Sequence, residues 1–144
     1  MREIQGDIWD YHGTGAYIVI TTNGSTTHDG LAVMGRGVAL QAAMRFPQLR
    51  HQLGSLIKLY GNYVFIFSPW KIITLPVKND WKEDADLHLI RRSINELYTI
   101  TRAINISPIY MVRPGCGNGR LKWQDVQPIL KSLEDRFVVV ERNP

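Results

Sequence analysis

Two glycine-rich segments carry residue types that could bind phosphate. The first, TNGSTTHDGLAVMGRGV, spans residues 22–38, and the second, RPGCGNGR, spans residues 113–120. Each follows an apolar run typical of a buried strand and precedes a helical pattern. Glycine permits positive φ and close approach of the backbone, and the start of the next helix offers N–H groups without partners. One such segment alone is more often a tight turn, but the two together could hold a diphosphate between them.

The second glycine-rich segment also contains Cys116, the only cysteine of the chain. A cysteine can act as a nucleophile or as a metal ligand. We expect a packing role instead, because a small side chain between two glycines suits a tight loop. Neither the P-loop pattern nor the G-x-G-x-x-G dinucleotide fingerprint occurs. No metal site is predicted, because the four histidines are scattered without ligand spacing: His12, His28, His51 and His88.

Apolar runs rich in β-branched residues predict the strands that position these segments. They are Tyr17–Thr21, Tyr63–Phe67, Ile72–Val77, Ile109–Val112 and Phe137–Val140, and Glu3–Gln5 could form a short first strand. Strands that alternate with helices favour an α/β fold, with a mostly parallel or mixed sheet covered on both faces. Ligands bind such sheets beyond the carboxyl ends of the strands, where both glycine-rich segments are expected.

Three helical patterns separate the strands, at Gly37–Leu53, Asp84–Ile104 and Gln124–Leu133. In the first pattern, Phe46–Pro47 predicts a break. In the third, Asp125 and Pro128 are expected near the start of the helix. The second pattern predicts one buried apolar stripe, made of Leu87, Ile90, Ile94, Leu97 and Ile104.

Composition sets broad limits on the class of protein. A length of 144 residues suits a single domain covering residues 1–144, and the 44% hydrophobic fraction is ordinary for a globular protein. The net charge of +4 fits a phosphate-bearing partner as well as a merely solvated surface.

A single cysteine suits a reducing cytosol, so we expect a cytoplasmic protein. The first residues, MREIQGDIWDY, lack a signal-peptide core, and no apolar run approaches the roughly 20 residues that span a bilayer.

The order of several motifs resembles the macrodomain family, whose members bind ADP-ribose. The resemblance covers nearly the whole chain and rests on QGDIW, IVITTNG, AVMGRGVALQA, FPQL, LPVKNDW and RPGCGNGRLKW. The chain looks most similar to the branch that contains terminal ADP-ribose–protein glycohydrolases and DNA ADP-ribosyl glycohydrolase antitoxins. This resemblance implies a three-layer α/β/α fold in which a mixed sheet of about six strands has helices on both faces.

The resemblance also assigns the site residues. Asp7 would accept a hydrogen bond from the adenine amino group, and Asn23 would face the distal ribose. The catalytic residues would be Lys78, at the anomeric carbon beside a wall of Pro76 and Trp81, and Asn23, which would position the distal ribose. Lys71 and Lys82 are further cations expected near Lys78. The remaining ligand-binding residues are expected to be Ile8, Thr22, Gly35, Arg36, Gly37, Val38, Ala39, Pro114, Gly115, Cys116, Gly117, Asn118 and Gly119.

Three residues depart from the patterns of the family. Ile20 stands where the family has the first asparagine of its Asn-x-x-Asn segment. Asp80 stands where the antitoxins have a histidine. Gly119 stands where some members carry a catalytic acid, which the antitoxins lack as this chain does. The departure at Gly119 leaves Lys78 as the principal catalytic candidate.

The resemblance therefore implies a hydrolase, an ADP-ribosyl glycohydrolase that removes ADP-ribose from a nucleic acid base or a protein side chain. We expect a monomer that needs no cofactor. Its expected partners are ADP-ribose and ADP-ribosylated DNA or protein, and no membrane partner is expected. Two alternatives remain open. One is a non-catalytic module that reads or sequesters ADP-ribose or a related nucleotide signal. The other is a phosphatase that acts on ADP-ribose 1″-phosphate.

Overall fold

A computed structural model describes residues 1–143 of the chain. The described residues form six strands, four α-helices and one 3₁₀ turn at Ile8–Tyr11. The strands are β1 (Arg2–Gly6), β2 (Tyr17–Asn23), β3 (Phe65–Phe67), β4 (Ile72–Lys78), β5 (Ile109–Val112) and β6 (Phe137–Arg142). The helices are α1 (Gly37–Arg45), α2 (Leu49–Tyr60), α3 (Leu87–Ala103) and α4 (Trp123–Leu130).

The six strands form one sheet in the order β1-β6-β5-β2-β4-β3. Neighbouring strands are parallel except for β3, which is antiparallel to β4. The prediction of a mixed sheet of about six strands with helices on both faces is therefore confirmed. Because β5, β2 and β4 are parallel neighbours, their carboxyl ends lie side by side at one edge of the sheet.

The strand side chains alternate between two apolar cores, one on each face of the sheet. In β2, Val19 points to the core formed with α3 and α4, whereas Ile18 and Ile20 point to the core formed with α1 and α2. All three side chains are buried, and burying one such side chain contributes about 1.5–3 kcal/mol. Burial on both faces explains why the β2 sequence is a continuous apolar run instead of an alternating one.

Helix boundaries differ from the predicted ones in places. The predicted break at Phe46–Pro47 is confirmed, since α1 ends at Arg45 and α2 begins at Leu49. However, α2 continues to Tyr60, past the predicted end at Leu53. Helix α4 stops at Leu130, and Pro128 lies in its second turn instead of near its start.

The predicted buried stripe of α3 is wrong at both ends. Leu87 and Ile104 are 37% and 53% exposed, whereas Ser93 and Thr101 are fully buried. The two hydroxyl groups can be buried because each donates a hydrogen bond, from Ser93 to the Pro76 carbonyl and from Thr101 to the Leu97 carbonyl, both at 2.7 Å. A pattern that counts only apolar residues cannot include such positions.

Candidate functional site

A cavity of about 1270 Å³ opens at the carboxyl ends of β2, β4 and β5. The two glycine-rich segments and the turn after β4 form its walls. Of the residues expected at the site, Pro114 is buried and does not line the cavity. The structure places all the others in the wall: Asp7, Ile8, Thr22, Asn23, Gly35, Arg36, Gly37, Val38, Ala39, Lys78, Gly115, Cys116, Gly117, Asn118 and Gly119.

The first glycine-rich segment delivers the start of α1 to the cavity. The side chain of the N-cap residue, Arg36, makes no capping hydrogen bond with any described residue. Leu40 is the first residue whose N–H bonds back along the chain, to the Arg36 carbonyl at 3.2 Å. The N–H groups of Gly37, Val38 and Ala39 therefore have no intrahelical acceptor and carry the partial positive charge of the helix terminus.

The second glycine-rich segment is a pair of tight turns. The turns are closed by hydrogen bonds from the Cys116 N–H to the Arg113 carbonyl at 3.4 Å and from the Arg120 N–H to the Gly117 carbonyl at 3.1 Å. The Leu121 N–H also donates across the loop to the Gly115 carbonyl at 2.9 Å. Within residues 1–143, the hydrogen bonds of this loop leave the N–H groups of Gly117, Asn118 and Gly119 unused. Such a run of free N–H groups can bind an anion. The two loops thus present two sets of N–H donors to one cavity.

The two loops touch each other at Gly37 and Asn118. Gly37 has a φ of +57°, and a Cβ built on it would lie 2.7 Å from Asn118 Nδ2. A side chain at residue 37 would be strained by that backbone conformation and would displace the Asn118 amide. Glycine at residue 37 therefore allows the two loops that form the cavity walls to contact each other.

Gly119 is packed so tightly that no side chain fits there. A Cβ on this residue would lie 2.6 Å from the Gly115 carbonyl oxygen and 2.7 Å from Ala85 Cβ. The Ala85 N–H also donates to the Gly119 carbonyl at 3.0 Å, which holds the loop before α3 against the second glycine-rich segment. The acid that some macrodomains carry at this position is therefore excluded by packing in this chain.

Lys78 is the last residue of β4, and it lines the end of the cavity at which β4 and β2 lie side by side. The half-buried Lys78 side chain donates from Nζ to the Trp81 carbonyl at 3.1 Å. Trp81 is 47% exposed at the cavity mouth, and Lys82 Nζ lies 5.8 Å from the centroid of its ring. Lys78, Trp81 and Lys82 all line the cavity, so the structure brings these three residues together.

Two other expected neighbours of Lys78 lie elsewhere. Lys71 precedes β4 and so lies at the opposite end of that strand, with Nζ 5.2 Å from the Tyr17 ring centroid. Its expected place near Lys78 is wrong. Pro76 lies within β4, where it is buried and does not line the cavity. Of the apolar residues near Lys78 in the chain, Val77 and Trp81 line the cavity.

Asn23 and Asp7 are both anchored by the fold and keep hydrogen-bonding capacity for a ligand. Asn23 Nδ2 donates to the Val33 carbonyl at 3.0 Å, and Oδ1 accepts from the Ser25 N–H at 2.9 Å. Asp7 Oδ1 accepts from the Trp9 N–H at 3.0 Å and so caps the 3₁₀ turn. An amide retains a second N–H and a second lone pair, and a carboxylate retains its second oxygen.

The charged side chains around the cavity are mixed but contain more cations than anions. Arg113 is already engaged, because it lies 3.3 Å from Glu141 and 3.7 Å from Glu3 and covers the Trp123 ring. The lining cations are Arg36, Lys78, Lys82, Arg113, Arg120 and Arg142, and the lining carboxylates are Asp7, Glu83, Asp84 and Glu141.

Cys116 is a poor candidate for a nucleophile. Burial raises the pKa of its thiol, and the opposing effect of the Arg113 guanidinium on that pKa is smaller. The thiol therefore stays protonated at neutral pH, and Sγ lies 3.5 Å from the Pro114 carbonyl oxygen. This environment supports the packing role expected for Cys116.

No group of three or more His, Cys, Asp or Glu side chains among residues 1–143 is arranged to hold a metal ion. Over the same residues, no helix combines the length and apolar character needed to cross a bilayer.

Solved structures of similar fold are macrodomains. The macrodomain of Mycobacterium tuberculosis DarG superposes with a TM-score of 0.81 at 24% identity, covering 99% of this chain and 97% of that one. The macrodomain of Thermus aquaticus DarG gives 0.77 at 22% identity, with the same coverage. Thermosipho africanus DarTG in complex with ADP-ribose gives 0.80 at 18% identity, covering 98% of this chain and 41% of that one. The chain therefore has the macrodomain fold.

Sequence comparison supports the same assignment. The DNA ADP-ribosyl glycohydrolase of M. tuberculosis is 30% identical over 111 residues, which cover 71% of this chain and 32% of that protein. The enzyme of the same name from T. aquaticus is 26% identical over 118 residues, which cover 75% of this chain and 33% of that protein. The chain thus spans about a third of the length of these relatives. No protein-family model matches the sequence. The resemblance to the macrodomain family and to its DNA ADP-ribosyl glycohydrolase branch is confirmed.

Proposed function

We propose that this chain binds ADP-ribose in the cavity and hydrolyses the bond that joins ADP-ribose to a nucleic acid base. One observation carries the proposal. The neighbouring ends of β5, β2 and β4 place two sets of free N–H groups and Lys78 around a single cavity. A diphosphate with a reactive ribose at one end matches this arrangement of anion-binding loops and one amine.

The ligand would lie along the cavity from Asp7 to Lys78. The diphosphate would accept from the N–H groups of residues 37–39 and 117–119, where preorganised donors bind a charge without the entropy cost of ordering long side chains. Asp7 would accept from the exocyclic amine of adenine through its second carboxylate oxygen. Asn23 would hold the distal ribose beside Lys78.

Lys78 would act when the glycosidic bond breaks. Water adds to the anomeric carbon, the bond to the base breaks, and the departing base takes up a proton. In its protonated form, Lys78 could stabilise the negative charge that develops on the base. In its neutral form, Lys78 could instead add to the anomeric carbon and displace the base, and water would then hydrolyse the lysine adduct to release ADP-ribose and free Lys78. Borohydride trapping separates these two roles, because only the second leaves ADP-ribose reducibly attached to Lys78.

Trp81 favours a nucleic acid base as the leaving group over a protein side chain. Its ring is about half exposed at the mouth of the cavity, beside Lys78. A nucleic acid base stacked on an aromatic side chain gains about 1–3 kcal/mol, which a serine or carboxylate leaving group cannot gain. The name shared by the sequence relatives, DNA ADP-ribosyl glycohydrolase, supports the same choice.

A non-catalytic reader of ADP-ribose is the second candidate function. The packing around Gly119 is compatible with it, since that packing excludes the acid that some macrodomains use. The hydrogen bond that Lys78 already makes to the Trp81 carbonyl also fits a structural lysine. For either function we propose that residues 1–144 form one domain that acts as a cytoplasmic monomer.

The test compares three substrates: an ADP-ribosylated single-stranded oligonucleotide, an ADP-ribosylated protein and ADP-ribose 1″-phosphate. We expect release of ADP-ribose from the oligonucleotide by the wild-type chain. In Lys78→Ala, release should fall at least tenfold while calorimetric affinity for ADP-ribose is kept. Trp81→Ala should slow release from the oligonucleotide more than Trp81→Phe does.

Other outcomes of this test would reject the proposal. Binding of ADP-ribose with no turnover of any substrate would identify the reader, and turnover of the 1″-phosphate alone would identify the phosphatase. Undiminished turnover in Lys78→Ala would exclude lysine-based catalysis.

A further inference from the structure

We propose that Ser25 is a positioning residue for Lys78 and acts through the backbone of Trp81. The catalytic part of this inference rests on the proposed function, whereas its structural part concerns only where the Lys78 amine is held. Ser25 was not indicated by the sequence pattern. It lies in the first glycine-rich segment, 53 residues before Lys78 in the chain.

A continuous set of hydrogen bonds joins Asn23 to Lys78. The Ser25 N–H donates to Asn23 Oδ1 at 2.9 Å, and the Trp81 N–H donates to Ser25 Oγ at 3.0 Å. The Trp81 carbonyl then accepts from Lys78 Nζ at 3.1 Å. Ser25 therefore links the residue proposed to hold the distal ribose to the residue proposed to act on its anomeric carbon.

The turn after β4 is attached to the first glycine-rich segment at two points. One is a backbone hydrogen bond, in which the Gly24 N–H donates to the Asn79 carbonyl at 3.1 Å. The other is the bond from the Trp81 N–H to the Ser25 side chain. Only the second depends on a side chain, and it acts directly on the residue whose carbonyl holds Lys78. Loss of the Ser25 hydroxyl would leave the turn attached but the Trp81 carbonyl less well fixed.

The position of this carbonyl matters because a lysine side chain has four rotatable bonds. In the structure, the Trp81 carbonyl is the acceptor that holds Nζ within the cavity wall. A displacement of about 1 Å at a reacting group can lower a rate by roughly 10²-fold. A hydroxyl group at residue 25 is thus expected to affect turnover while leaving the diphosphate contacts of the two loops intact.

The experiment compares Ser25→Ala with Ser25→Thr, which keeps a hydroxyl group at the same position. Ser55→Ala is the matched control, because Ser55 donates only to the His51 carbonyl on the exposed surface of α2. We expect Ser25→Ala to lower kcat on the ADP-ribosylated oligonucleotide roughly two- to tenfold, as the loss of one hydrogen bond implies. The Kd for ADP-ribose should not change. Ser25→Thr should restore kcat, and Ser55→Ala should match the wild type.

A second measurement does not require turnover. Brief acylation with a water-soluble succinimidyl ester, followed by mass spectrometry, measures how readily the Lys78 amine reacts relative to Lys58 and Lys131 in the same sample. We expect Lys78 to react faster in Ser25→Ala than in the wild type or in Ser25→Thr, since the Trp81 carbonyl holds its Nζ atom less firmly in that variant. If no substrate is turned over by the wild type, the proposed function fails and this comparison still decides the role of Ser25. Equal Lys78 reactivity in all three proteins would overturn the inference.

Discussion

Asn23 and Lys78 pair with each other at the last position of the β2–β4 ladder, after a register shift between Thr22 and Asn23. Thr22 pairs with Pro76, so Val77 is the extra residue of a β-bulge. Val77 is buried in the core on the α3 side, and Lys78 takes the place opposite Asn23. The bulge thus brings an amide and an amine from adjacent strands to the end of the cavity where the distal ribose is proposed to bind.

Gly119 should tolerate no side chain, whereas Gly117 should. We expect Gly119→Ala to lower the free energy of unfolding by about 1–3 kcal/mol, because its Cβ meets the Gly115 carbonyl and Ala85. The matched variant is Gly117→Ala, since no atom lies within 4 Å of a Cβ at that position. Chemical denaturation of both variants measures the difference. Equal stability would mean that residue 119 has room for a side chain.

Asp7 should recognise the amino group of adenine. The wild type should bind ADP-ribose more tightly than its hypoxanthine analogue, which lacks that amine. Asp7→Ala should lose this discrimination. The difference in binding free energy between the two ligands should be about 1.5–3 kcal/mol in the wild type, which is the contribution of a hydrogen bond to a charged group. Asp10→Ala is the control, because Asp10 lies in the same 3₁₀ turn but does not line the cavity. Calorimetry with both ligands would disprove this role if Asp7→Ala still discriminated between them.

Cys116 should react slowly with alkylating agents at neutral pH. Since burial raises the pKa of its thiol, the thiolate fraction at pH 7 is lower than that of a free cysteine. The rate of iodoacetamide alkylation should therefore stay low at pH 7 and rise only as the pH passes above the ordinary cysteine range. Cys116→Ser should retain ADP-ribose binding. Rapid alkylation near pH 7 would instead indicate an activated thiolate.

The sequence predicted the sheet and the place of the two glycine-rich segments because both depend on local patterns, whereas the individual site residues were expected from the resemblance to the macrodomain family. Continuous β-branched runs identified β2, β4, β5 and β6, and the glycine-rich segments directly after β2 and β5 had to lie at one edge of a parallel sheet. The stripe of α3 was predicted less well, because buried Ser93 and Thr101 carry hydroxyl groups that only the folded chain satisfies.

Features that depend on contacts between distant segments could not be predicted. The hydrogen bond between Ser25 and Trp81 joins residues 56 positions apart, and no local pattern marks either residue as a partner. The sequence shows that residue 119 carries no side chain. It does not show the physical reason, which is that a side chain there would clash with Ala85 and with the Gly115 backbone. Lys71 is close to Lys78 in the chain, but the extended strand β4 between them places the two lysines at opposite ends of that strand.

The most direct test of the central claim is a calorimetric titration of the chain with ADP-ribose, repeated with Gly37→Ala. A Cβ at residue 37 would strain the start of α1 and displace the Asn118 amide, so we expect the affinity to fall at least tenfold. Gly13→Ala is the matched control, because Gly13 also has a positive φ, of +88°, but lies away from the cavity with no atom within 4 Å of a Cβ. We expect ADP-ribose to bind to the wild type and to Gly13→Ala, and to bind more weakly to Gly37→Ala. Absence of binding to the wild type, or equal affinity in all three proteins, would contradict it.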